Sequence, residues 1–263
     1  MKKLICIALV LCLAGLCACE WGTEKEITTR GAETTTIAAT EPADLAPVLY
    51  TVTRRIHSSL PEFTFTLHGY TDADDSDGDA METAHVSAVA IRGEGFSQLL
   101  DGFETELFVP EWGFDEGMEY GLVLDDFTGD GYLDLRLYMF TTLTAQDGYS
   151  LFWLWDAGQK QFVRNDQLEE LSIAQYFTRE ENGPRMWRYL KNWNEELEVP
   201  TFDDYYYEYI GGKFVLVESE SMWYEEAGDV VYENAETYKL VDGEMKLVSK
   251  TREKLEGDGT DAD

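Results

Sequence analysis

Apolar residues recur at every second position over much of this chain, the period of a strand with one buried face. Phe63, Phe65 and Leu67 alternate with Thr64, Thr66 and His68. Leu122 and Leu124 lead into a polar turn, and Leu133, Leu135, Leu137 and Met139 follow it, with Tyr132, Asp134, Arg136 and Tyr138 on the opposite face. Further strands are predicted over 48–56, 85–92 and 186–193. The stretch 151–155 is apolar on both faces, as a central strand would be. Three hairpins are expected: Phe152 to Val163 around a turn at Asp156 to Lys160, Tyr207 to Val217 around Gly211-Gly212, and Tyr238 to Val248 around Asp242-Gly243. Gly-Gly and Asp-Gly suit two-residue hairpin turns. A short helix is predicted within 166–177, with Asp166 as N-cap and Glu169 three residues on. Residues 96–107 fit neither period cleanly, and a short helix is expected around Gln98 to Phe103. The fold class is therefore mainly β, an antiparallel meander or a β-propeller-like array of hairpins.

Both ends lack this pattern. Residues 1–18 begin with Lys2 and Lys3 and continue as an apolar run from Leu4 to Leu16, a signal peptide too short to span a membrane. Its end, Leu16-Cys17-Ala18-Cys19, resembles the lipobox of bacterial lipoproteins. The resemblance implies cleavage before Cys19 and lipid on its sulfur, which would anchor the chain on the extracytoplasmic face of a bacterial envelope membrane. An ordinary secretory peptide cut after Ala18 is the alternative. Residues 19–47, rich in Thr, Glu and Ala, cannot bury enough surface to fold and are expected to form a disordered tether. The β-rich domain is expected over 48–255, with an acidic, disordered tail over 256–263.

Charge narrows the partners. The chain has 52 acidic and 20 basic residues, a formal net charge of −32. Such a surface repels nucleic acid and anionic lipid and favours cations and basic proteins. All four cysteines, Cys6, Cys12, Cys17 and Cys19, lie in the first nineteen residues, so the body has neither a disulfide nor a thiolate metal site.

The turn between Leu124 and Leu133 carries the most specific chemistry. Asp126, Thr128, Asp130 and Asp134 stand at loop positions 1, 3, 5 and 9, with Gly131 at position 6 and Tyr132 at position 7. Alternate residues of a curling loop can aim oxygens at one point, the glycine permits the sharp turn, and Tyr132 would give its backbone carbonyl. An oxygen-only set suits a hard cation, Ca²⁺ above all. Leu137 stands where an EF-hand needs its bidentate glutamate, so the unit is strand–loop–strand. Asp125 is the nearest carboxylate to complete the sphere. The alternative is an acidic Asp-Gly turn without metal. The other acidic stretch, Asp72 to Asp79, fails the spacing and reads as a solvated hairpin tip.

Catalytic signatures are missing. No nucleophile elbow, phosphate-cradling glycine loop or paired-histidine zinc motif occurs. His57, His68 and His85 are too scattered for a zinc site, although His68 and His85 could face each other across a hairpin as a surface pair. Trp153 and Trp155 share one strand face and are expected in the core, with sugar stacking as the alternative.

The stretch Asp125 to Leu135 resembles the calcium loop of FG-GAP and VCBS-type β-propeller repeats, with Thr128 where an acid or amide is usual. Leu151 to Val163 and Tyr207 to Val217 look like bacterial lipoproteins carrying one such loop, among them a periplasmic immunity protein that inhibits a lysozyme-like effector. The resemblance implies a calcium-bound, exported, non-enzymatic binding module; it does not fix the target, and an inhibitor of a lysozyme-like or other basic protein is the reading that the acidic charge favours. A glycan-binding or glycan-hydrolysing surface lipoprotein and a purely structural envelope protein are the alternatives.

Overall fold

Alternation of apolar and polar residues builds three antiparallel sheets among the described residues, each a meander in sequence order save for the last strand of the first sheet. The computed structural model describes residues 45–74, 81–109, 121–139, 149–174, 176–180 and 183–255. The expected signal peptide, almost all of the tether and the tail lie outside them. The first sheet holds β1 (Val48–Arg54), β2 (Phe63–Asp74), β3 (Met81–Gly93) and β4 (Phe96–Leu100), with β5 (Leu107–Val109) pairing the first residues of β3. The second holds β6 (Leu122–Asp125), β7 (Asp134–Tyr138), β8 (Ser150–Asp156) and β9 (Gln161–Arg164). A short helix, α1 (Asp166–Leu171), leads to the third, six-stranded sheet: β10 (Tyr176–Arg179), β11 (Met186–Asn194), β12 (Val199–Ile210), β13 (Lys213–Ala227), β14 (Val230–Val241) and β15 (Glu244–Lys254). The sheets do not close into a barrel.

The second sheet is covered on both faces, which is why β8 is apolar from Leu151 to Trp155 and even the polar positions of β7 are buried. On one side Leu135, Leu137, Leu151, Trp153 and Trp155 meet Phe65, Leu67, Val89 and Ile91 of the first sheet. On the other, Phe152 and Leu154 meet Leu168 of α1 and Phe177, Met186 and Phe214 of the third sheet. A side chain fully buried this way contributes about 1.5–3 kcal/mol. Trp153 and Trp155 are 4% and 5% exposed, so both are spent on packing.

All three expected hairpins form, with Asp156 opposite Gln161, Ile210 opposite Lys213, and Val241 opposite Glu244. Three local expectations are corrected. Gln98 to Leu100 are strand, not helix: β4 pairs β3, and the Gln98 amide donates to the Phe162 carbonyl at 2.7 Å and accepts from the Phe162 N–H at 2.8 Å. That reciprocal pair holds Gln98 extended against β9, a tertiary contact that local periodicity does not contain. The cap of α1 is Asn165, whose Oδ1 accepts from the Leu168 N–H at 2.8 Å, and Asp166 is the first helical residue. His68 and His85 do not face each other. His68 is buried with Nδ1 on the Ala46 carbonyl, while His85 stacks on Tyr70 and meets Asp72. Asp72 belongs to strand β2, and residues 75–80 of the expected hairpin tip are not among those described.

Candidate metal centre

The acidic turn lies between β6 and β7, inside the second sheet, as its flanking leucines predict. Its backbone is curled by its own carboxylates. Asp126 accepts from the N–H groups of Gly129 (2.7 Å), Asp130 (3.1 Å) and Gly131 (2.9 Å), and Asp130 accepts from Tyr132 at 2.9 Å. Gly131 has φ of +90°, a conformation that residues with a Cβ rarely adopt. This glycine turns the chain so that the residues before and after it share one concave side.

Asp134 is the unusual member. It opens β7, is 1% exposed, and accepts from the N–H of Phe127 at 3.1 Å and of Trp155 at 2.8 Å. Burial pushes its pKa up to about 8, against the pull of those two N–H groups, and the negative charges of Asp130 and Asp126 push the same way. No cationic side chain among the described residues pairs with it. Thr128 adds a second anomaly, because its Oγ1 is buried and has no hydrogen-bond partner. The turn thus gathers three carboxylates and an orphaned hydroxyl, and each carboxylate keeps at least one lone-pair position beyond the N–H groups it serves. A hard cation suits this donor chemistry. Among the described residues, however, no three acidic, histidine or cysteine side chains already converge into a coordination cage. The carboxylates of Asp126 and Asp130 are turned onto loop N–H groups, so binding an ion would re-aim them.

Asp125 is engaged through one of its two oxygens. Its Oδ1 accepts from the Asp126 N–H at 2.8 Å and from Arg179 Nη1 at 3.2 Å, which ties the turn to β10. Tyr132 stacks its ring on His57 with centroids 4.2 Å apart, and the Leu133 N–H donates to the Ile56 carbonyl at 2.8 Å. A Cβ on Gly129 would approach Pro184 to 3.3 Å, so the turn also lies against the segment leading into β11. The turn therefore touches the β1–β2 connection, its own sheet and the third sheet. Sequence spacing found the acids. It missed Phe127, whose own backbone N–H serves Asp134, and Trp155, Arg179 and His57, which reach the turn from β8, β10 and the β1–β2 connection. Cys19, the expected lipidation site, lies outside the described residues. Among the described residues, no helix is long and apolar enough to cross a membrane.

No protein-family model and no curated protein matches the chain. Among solved structures, it is similar to one described as a Xanthomonas type IV secretion system related protein, with 18% identity, covering 76% of this chain and 98% of that one at a TM-score of 0.48. A likeness of that degree carries no functional argument.

Proposed function

We propose that the chain is an exported binding module, anchored by lipid on Cys19 and braced by one calcium ion. It has no catalysis of its own and engages a basic protein, a lysozyme-like enzyme being the kind the sequence resemblance suggests. The observation that carries the calcium reading is Asp134: a buried carboxylate beside Asp126 and Asp130 with no cationic side chain paired to it. Asp126, Thr128, Asp130, the Tyr132 carbonyl and Asp134 would hold the ion. The ion would supply the positive charge that this turn lacks. Acidity supports the basic partner, since complementary charge speeds encounter and disfavours wrong partners. The sugar-stacking alternative loses Trp153 and Trp155, because both are inside the core.

Thermal melting tests the metal. Extracellular calcium modules bind at about 10⁻⁴ to 10⁻³ M, and a hundredfold excess over Kd stabilises by about 2.7 kcal/mol. Millimolar calcium should raise the melting temperature above that in chelator, with magnesium less effective. Asp130→Ala should abolish the response, while Asp75→Ala, in the other acidic stretch, should keep it. Identical curves in calcium and chelator would remove the metal. Cys19→Ser should release the protein from the membrane fraction or leave its precursor uncut; retention with full processing would remove the anchor.

A further inference from the structure

The outer part of the third sheet is a single layer. Strands β14 and β15 give no apolar residue to any core, and β13 gives only Phe214. Leu247 and Val248, at the irregularity of β15, are both about half exposed. Cross-strand pairs hold this part together: Lys250 on Glu236, Arg252 on Glu225, and Arg252 over the Tyr232 ring. A sheet this uncovered offers a surface that the rest of the fold does not use.

One face of it contains a cleft of about 310 Å³. Paired residues share a face, so the register sets Asn192, Thr201, Asp203, Tyr205, Ser221 and Tyr238 side by side around it. Asp203 is 6% exposed. It accepts from Asn192 Nδ2 at 2.6 Å, Thr201 Oγ1 at 3.2 Å and Ser221 Oγ at 2.5 Å. These are neutral donors, and they fill three of the four or so lone-pair positions of a carboxylate.

Three acidic residues are buried among those described: Glu169, Asp134 and Asp203. Glu169 has Arg164 at 2.8 Å. Asp134 has the metal turn. Asp203 has neither, and a buried charge without a counter-charge is costly. No ion pair joins Asp203 to a cation of its face among the described residues, although Arg188 keeps a buried Nε without a hydrogen-bond partner. Arg188, beside Tyr205, donates to the Ile173 carbonyl, and Lys250 pairs with Glu236. Tyr205 and Tyr238 supply ring surface of the kind that attracts an organic cation.

We infer that this cleft receives the cationic side chain, arginine or lysine, of a basic protein partner, with Asp203 as its counter-charge and the two tyrosines along its stem. The inference rests on the basic-partner reading above and assigns it a place. The test is titration of the calcium-loaded domain, at physiological ionic strength, with an arginine-rich nonapeptide and with a lysine-rich nonapeptide in native and acetylated form. Ring signals of Tyr205 and Tyr238 are followed by NMR. Both cationic peptides should shift those rings, and the acetylated one should not. Asp203→Asn and Tyr238→Leu should each weaken binding at least about tenfold, while Glu233→Gln, which removes one charge from the opposite face, should change it less than about twofold. Tyr238→Leu keeps the test open should Asp203→Asn fail to fold. Equal affinity in all three variants would place basic partners elsewhere on the acidic surface, leaving the basic-partner reading intact and overturning the cleft. Shifts produced only by a chito-oligosaccharide or by calcium would also overturn it. No binding of any cationic peptide would remove both.

Discussion

Asp134 is a carboxyl group whose burial works against its charge. Its ordinary carboxyl pKa of 3.8 rises to about 8, chiefly through burial. Without calcium the native state therefore holds a proton that the unfolded chain releases above about pH 4. The stability tied to this group is fully present below the ordinary pKa and is lost as pH rises through about 8. On the calcium reading proposed above, the ion would favour the ionised form and oppose that loss. In chelator, the melting temperature should therefore fall more steeply between pH 5 and 8 in the wild type than in Asp134→Asn, and calcium should remove the difference in slope. Parallel pH profiles for the two proteins would contradict this account. Thr128 is the other unusual residue of the turn, since its buried Oγ1 has no hydrogen-bond partner among the described residues.

At the scale of the element, α1 separates what local rules read well from what they read nearly. The Asp166–Glu169 spacing found the helix but placed the cap one residue late. The side chain that serves the first turn is Asn165, and the Gln167 amide, reaching out, pairs both ways with the Phe214 backbone at 2.6 and 2.8 Å. Asn165→Ala should cost about 1 kcal/mol in chemical denaturation, whereas Asp166→Ala should cost only a few tenths, the worth of a first-turn charge. Equal losses would return the cap to Asp166. Strand β4 makes the same point. Its Gln98 is extended because Phe162, 64 residues away, binds its amide.

Across the whole molecule, the metal turn is placed to act on more than its own loop. Leu133 is bonded to Ile56, Trp155 to Asp134, and Arg179 to Asp125, so each neighbouring segment has a direct link to the turn. Removing calcium should loosen these links together. In hydrogen exchange, calcium should slow the amides of Leu133 and Trp155, along with those of β10 next to Arg179. The amides of β14 and β15, which touch neither the turn nor a core, should be unchanged. Protection confined to 126–132 would reduce the ion to a local brace. Net charge bears on the same comparison: with −32 on the chain, self-repulsion adds to the repulsion within the turn, so the calcium effect should be larger at low ionic strength.

The sequence by itself determined the β class, the three hairpins with their turn residues, the burial of Trp153 and Trp155, and the spacing of Asp126, Thr128, Asp130 and Asp134. Each of these is written in neighbouring residues, through a two-residue period, a turn dipeptide or a fixed offset around a glycine. Only the tertiary structure decided that the second sheet is covered on both faces, that Asp125 belongs to Arg179, and that Asp134 is bonded to Trp155. It alone revealed that Asn192, Thr201, Asp203 and Ser221 form one cluster in an uncovered sheet. These depend on register and on sheet-to-sheet packing, which join residues from separate strands, and a single chain of letters carries no mark of which strand lies beside which. Among 52 acids, Asp203 looks like any other until its neighbours across two strands show it to be a buried charge without a partner.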